Sequence, residues 1–286
     1  MPTIRAAGLD IAYLVEGAGP PLVLLHGATS SAADDWGAQR PAMRRHFRLY
    51  MPDARGHAGT RWDAADGWTA EMLVDDLAAF VDALGIETFH VLGFSMGAHT
   101  ALRYATRHPE RLRTLLISGI DVQRQPRLNV ARYLMDPARI DRSDPAWAAA
   151  LERRHAPVQG PGAWRRLLPA IAADVGTQPL ITPEELRRVT MPSLHMIGDR
   201  DVFVPTDHAV ALHRQLPDGR LCIVPDCDHQ VMASRPGIFN EVAETFYRTT
   251  AAEARSRAEG GAEPSRRGLP AGNRAPVPTS MGDHGS

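Results

Sequence analysis

Short apolar, β-prone runs recur along this chain with longer amphipathic segments between them, and that alternation restricts its fold more than any other feature. The runs at 21–27 (PLVLLHG), 47–53, 90–97, 112–119, 193–199 and 220–226 are continuously apolar over most of their length. A strand wetted on one face alternates, so these read as strands covered on both faces, the condition of a parallel sheet joined by crossover helices. An earlier strand is expected over Ile11–Val15. Helical spacing predicts a helix from an N-cap at Thr69 to about Leu84, stopped by Gly85, and others over Ala98–Arg107, Asp207–Gln215 and Ile238–Tyr247. The fold class is therefore α/β: a mostly parallel central sheet with helices on both faces.

Residues 122–189 break the alternation. They are rich in Arg, Ala, Trp and Pro and hold no convincing strand, so they are expected to form a helical cap inserted between two core strands. The core then comprises 1–121 and 190–250. From Ala251 to the end, large apolar residues almost vanish, and 251–286 is expected to be a disordered tail because it cannot offset its ordering entropy.

Composition removes several classes of function. With a formal net charge of −1 and scattered basic residues, nothing points to nucleic acid or an anionic membrane. All 32 basic residues are arginine. Without a lysine amine, Schiff-base, pyridoxal-phosphate and Walker-type nucleotide chemistry are excluded. Cys222 and Cys227 make neither a disulfide framework nor a zinc site, and the cluster Asp226, Cys227, Asp228 and His229 lacks the second spaced pair that a metal needs. No cofactor is expected. No apolar run reaches membrane length and no leader is visible, so a cytoplasmic protein is expected, with a homodimer left open.

The strongest local signal is GFSMG at 93–97. A serine flanked at two positions on each side by glycine can sit in a sharp strand-to-helix turn, with backbone crowded beneath it and its hydroxyl lifted clear. Here the motif follows an apolar strand and precedes a helix, as that geometry requires. Ser95 is a weak nucleophile unless a base takes its proton and a third group orients that base. Of twelve histidines, His229 stands apart, in the loop DCDHQ after the last core strand. His90 and His195 read as packing positions, His46 and His155 as loop residues, and His99 as pointing away from the turn. The loop GDRDVFVP (198–205) offers Asp199 and Asp201 as the acid. Proximity alone does not choose between them: Asp199, directly after Gly198, can hold the turn's backbone N–H groups, and Asp201 lies two residues further into the loop, 28 residues before His229. The chain order is Ser, Asp, His.

With HGATS at 26–30 and MPDARGHAGT at 51–60, these segments resemble the α/β-hydrolase superfamily, nearest to its single-cap esterases, cofactor-free perhydrolases and carbon–carbon bond hydrolases, across about residues 5–250. The resemblance implies a Ser95–His229–Asp201 triad with the backbone N–H groups of Ala28 and Met96 as the oxyanion hole. It also implies a structural role for His26 and a turn-stabilising role for Asp53, Arg55 and His57. Phe94, Trp147 and Trp164 are candidates for the substrate pocket, although the two tryptophans serve equally well to glue the cap together. The implied activity is hydrolysis of an uncharged, fairly apolar small-molecule ester or lactone. Carbon–carbon hydrolysis is the alternative, weakened by HGATS in place of a glycine-rich loop and by Gln230, not tryptophan, after the histidine. A non-catalytic ligand-binding member is a third reading. Ser95 in place of an aspartate argues against dehalogenase or epoxide hydrolase chemistry.

Overall fold

The computed structural model describes residues 1–259. Eight strands form one sheet in the order β1-β2-β4-β3-β5-β6-β7-β8. They are β1 (Thr3–Ala6), β2 (Leu9–Glu16), β3 (Pro21–Leu25), β4 (Arg48–Pro52), β5 (Phe89–Phe94), β6 (Leu112–Ser118), β7 (Ser193–Gly198) and β8 (Gly219–Val224). Pairing is antiparallel for β1–β2 and β2–β4 and parallel from β4 through β8. The α/β class read from the alternation holds. The strand β1 was not anticipated. It pairs through a tight turn at Ala7 (φ 49°) and Gly8 (φ 75°), a conformation with both central residues left-handed, in which alanine is not a turn signal.

Helices α1 (Ala32–Asp35) and α2 (Arg40–Met43) follow β3. Next come α3 (Ala70–Ala83) before β5 and α4 (Met96–Arg107) after it. Between β6 and β7 lie α5 (Arg124–Leu134), α6 (Pro137–Ser143), α7 (Pro145–Gln159), α8 (Trp164–Thr177) and α9 (Pro183–Leu186), with no strand among them. Then α10 (Thr206–His213) joins β7 to β8, and α11 (Val231–Ser234) and α12 (Pro236–Ala258) end the described residues. Helix α12 thus runs eight residues, 251–258, into the segment expected to be disordered. Its alanine- and arginine-rich continuation keeps good helix formers, which the count of large apolar residues overlooked. The remainder of the expected tail, 260–286, lies outside the described residues.

The central strands bury both faces. Along β5, Val91 joins a cluster with Leu77 and Phe80 of α3 and Leu102 and Ala105 of α4, while its neighbour Leu92 joins Trp36, Met43, Phe239 and Phe246 on the opposite face. This two-residue alternation fixes the register, since a slip of one residue would exchange the two clusters. A third cluster, built on Leu151, Trp164, Leu167, Leu168 and Ile171 of the cap, reaches down to Trp68 and Leu73. Thr69 caps α3 by accepting from Met72 N, and Asp174 of α8 accepts from Ala70 N at 3.1 Å, so the cap is pinned to a core helix.

Candidate active site

The site lies beyond the carboxyl ends of β5, β7 and β8, where open α/β sheets hold their ligands. Ser95 joins β5 to α4 at φ 51° and ψ −111°, backbone that a non-glycine residue rarely adopts. The flanking glycines are required by contact. A Cβ on Gly93 would stand 2.4 Å from the Gly97 carbonyl oxygen, and one on Gly97 would stand 2.1 Å from that of Leu25. The turn can close this tightly only with bare backbone at both positions.

The structure brings Ser95, His229 and Asp201 together. His229 Nε2 is 3.3 Å from Ser95 Oγ, and His229 Nδ1 is 2.8 Å from Asp201 Oδ2. The other carboxylate oxygen of Asp201 accepts from Phe203 N at 2.8 Å and Val204 N at 3.1 Å, which fixes its orientation. Asp199 does not reach the histidine. It accepts from Cys227 N at 3.3 Å, tying the β7 turn to the loop that carries His229. Gly198 lets those loops meet, because a Cβ there would lie 2.0 Å from the Cys227 carbonyl oxygen. Phe94 and Phe203 pack on the imidazole with ring centroids 5.1 Å away in each case.

The loop after β3 is held from three sides. Asp35 accepts from Gly27 N at 2.8 Å and from the Ser30 hydroxyl, and burial raises its carboxyl above the ordinary value. His26 Nε2 accepts from Ala54 N at 3.0 Å. His57 Nε2 lies 2.8 Å from the Ala28 carbonyl oxygen. Burial is the main cause that lowers both imidazoles, His57 to about 4, so neither is a proton carrier at neutral pH. Asp53 accepts from Ala32 N and Gly59 N, and Arg55 makes a two-point ion pair with Asp76. What this bracing leaves over are the N–H groups of Ala28 and Met96, which have no hydrogen-bond acceptor among the described residues. Such fixed, unused donors beside a serine can hold negative charge that appears on a reacting oxygen.

Two cavities open on Ser95. One, of about 220 Å³, runs past Ala28, Phe94, His229 and Trp147. The other, of about 70 Å³, is lined by Met96, Trp68, Leu73, Met135 and Ile171 and by the polar side chains of His99, Arg127 and Asp174. Trp164 lines neither cavity, which corrects its candidacy as a pocket residue. It is fully buried among the cap helices, its indole N–H donating to Glu152 at 2.9 Å and its ring covered by Arg165. Two further expectations fail for a helical reason. His155 is no loop residue: it is buried on α7 and accepts from Ala58 N at 3.0 Å. His99 does not point away from the turn but lines the smaller cavity with Ser95. Residues four apart share a helix face, so the 95-to-99 spacing carried that signal. Among the described residues no cluster of His, Cys, Asp or Glu is arranged to hold a metal ion, and no helix is long and apolar enough to cross a membrane.

The parallel sheet with a serine on the sharp turn after its central strand defines the class as an α/β-fold hydrolase. A family model described as "alpha/beta hydrolase fold" matches residues 20–154. The chain is 25% identical over 261 residues to 2-hydroxy-6-oxo-2,4-heptadienoate hydrolase of Pseudomonas putida, covering 85% of this chain and 94% of that protein. It is also 25% identical over 245 residues to the pimeloyl-[acyl-carrier protein] methyl ester esterase of Nitrosospira multiformis, covering 78% and 92%. The crystal structure of the enol-lactonase from Burkholderia xenovorans superposes with a TM-score of 0.70 at 22% identity, covering 86% of this chain and 99% of that one. The family model spans just under half of the chain, and over most of its length the chain is similar to hydrolases of this fold.

Proposed function

We propose that the protein is a serine hydrolase that cleaves a carboxylic ester or lactone with an apolar body, using Ser95, His229 and Asp201. The observation that carries this reading is the unbroken hydrogen-bonded chain from Asp201 through His229 to a serine on strained backbone. Ser95 Oγ attacks the acyl carbonyl carbon while His229 Nε2 takes the hydroxyl proton. The carbonyl π pair moves onto oxygen, where the N–H groups of Ala28 and Met96 receive it. As that pair returns, the bond to the alcohol oxygen breaks and His229 gives it the proton. Water then attacks the acyl-enzyme, loses a proton to His229, and the Ser95 oxygen leaves and recovers that proton. Asp201 keeps the imidazole in the tautomer with its proton on Nδ1 and stabilises the imidazolium. No metal or organic cofactor takes part, and the substrate is a small molecule that the cap encloses.

Carbon–carbon hydrolysis is the second reading, supported by the heptadienoate hydrolase among the relatives and opposed by HGATS at 26–30, with Ala28 and Thr29 where a glycine-rich loop would lie, and by Gln230 after the histidine. A panel of p-nitrophenyl esters of increasing acyl length decides between them. Turnover with a distinct optimum of chain length is expected. No turnover on any ester, together with cleavage of a vinylogous diketone, would replace the ester reading by the second.

A further inference from the structure

Resting on the hydrolase reading above, we propose that the substrate carries one carboxylate, held by Arg127 in the cavity it shares with Ser95, with His99 as the second donor. This departs from the uncharged substrate suggested by the sequence. Three arginines crowd this side of the cap, and two are committed. Arg103 pairs with Glu71 and donates to the Pro179 carbonyl, while Arg124 donates to the carbonyls of Val175 and Gln178 and so closes the end of α8. Arg127, one turn further along α5, makes no ion pair and no hydrogen bond among the described residues, yet its side chain lines the cavity. A half-buried guanidinium with no ion-pair partner among the described residues has lost part of its hydration without compensation, and five N–H donors in a rigid fork match a planar carboxylate.

The surrounding charges favour this occupant. Burial pulls Arg127 down to about 10, and the largest charge effects on it come from Arg103 and Arg124, ahead of Asp174 and Asp121. Both carboxylates have other duties: Asp121 bonds His208 and Gln123 N, and Asp174 accepts from Ala70 N. His99 Nε2 is buried without a partner. Burial holds its imidazole neutral, so one ring nitrogen bears a proton to donate. Asp121 and Asp174 also line this cavity, so the positive charge left over is small, and one unmatched guanidinium with one idle imidazole nitrogen suits a monoanion better than a phosphate with two charges.

Calorimetric titration with hexanoate and with hexanamide tests the site without requiring catalysis, in the wild type and in Arg127→Gln and Arg127→Lys. The wild type is expected to bind the carboxylate at least about tenfold more tightly than the amide, the scale of a charge-assisted bidentate contact. Arg127→Gln should bring the two within about twofold, and Arg127→Lys, with charge but no fork, should fall between. The same preference should persist in Ser95→Ala. No preference in the wild type, or one that survives Arg127→Gln, overturns the proposal, since a carboxylate lodged at Ala28 and Met96 would ignore Arg127. A calorimetric preference in a protein inactive on every ester would overturn the ester reading and leave the anion site standing. Ester turnover without the preference would do the reverse.

Discussion

Ser95 sits in backbone that costs roughly 1–3 kcal/mol, and the surrounding contacts show why it is kept there. Gly93 and Gly97 were legible from the motif because only glycine tolerates such crowding. Choosing between Asp199 and Asp201 was harder, since both follow β7 and differ by a single turn of loop. The structure separates their work: Asp201 holds His229, and Asp199 holds Cys227 N. Asp201→Asn is accordingly expected to lower kcat by about 10⁴ through the wrong tautomer, with little change in melting temperature. Asp199→Asn is expected to lower stability by about 1 kcal/mol and to spare most of the rate. Steady-state kinetics and thermal melts of both variants check this, and the reverse pattern would move the acid to Asp199. Arg127 was illegible for a plain reason. A basic residue in a helix has the same sequence whether its partner is a carboxylate, a carbonyl or nothing.

At the scale of elements, strands were readable because burial on both faces leaves continuous apolar runs, and α3 was readable from Thr69 and Gly85, which the structure places as its N-cap and its left-handed stop. The cap was readable only as helices. Its five helices pack through long-range contacts that no local periodicity encodes, and so Trp147 and Trp164 looked alike. They now separate. Trp164→Ala is expected to cost about 3–5 kcal/mol, because it empties the centre of the cap cluster. Trp147→Ala, at a cavity wall and only partly buried, is expected to shift acyl-length preference with a far smaller loss of stability. Chemical denaturation and the ester panel on both variants provide the check. Equal loss of stability in the two would contradict the distinction.

Across the whole molecule, His57, His90 and His195 share one property: burial, the leading cause in each, lowers their imidazoles to about 4. Unfolding returns them toward the ordinary 6.5, so the unfolded chain binds more protons between those values. Their stabilising contribution is complete above pH 6.5 and is lost as the pH falls from there toward 4. Asp35, Asp76 and Asp174, raised by burial, act in the opposite sense, but only near the carboxylate range. The melting temperature measured by calorimetry should be level from pH 8 to 7 and drop steeply between 6.5 and 5. A flat profile to pH 5 would mean that these rings reach water before the protein unfolds.

The central claim, that Ser95 is the nucleophile, is tested most directly by the kcat of Ser95→Ala on the best p-nitrophenyl ester of the panel. Removal of a triad nucleophile lowers kcat by a factor on the order of 10⁶, and the melting temperature should stay close to that of the wild type, because what the variant loses is the 3.3 Å hydrogen bond to His229. Retention of more than about one per cent of the wild-type rate by the folded variant would contradict the claim, since no residual pathway through binding and the oxyanion donors alone comes that near.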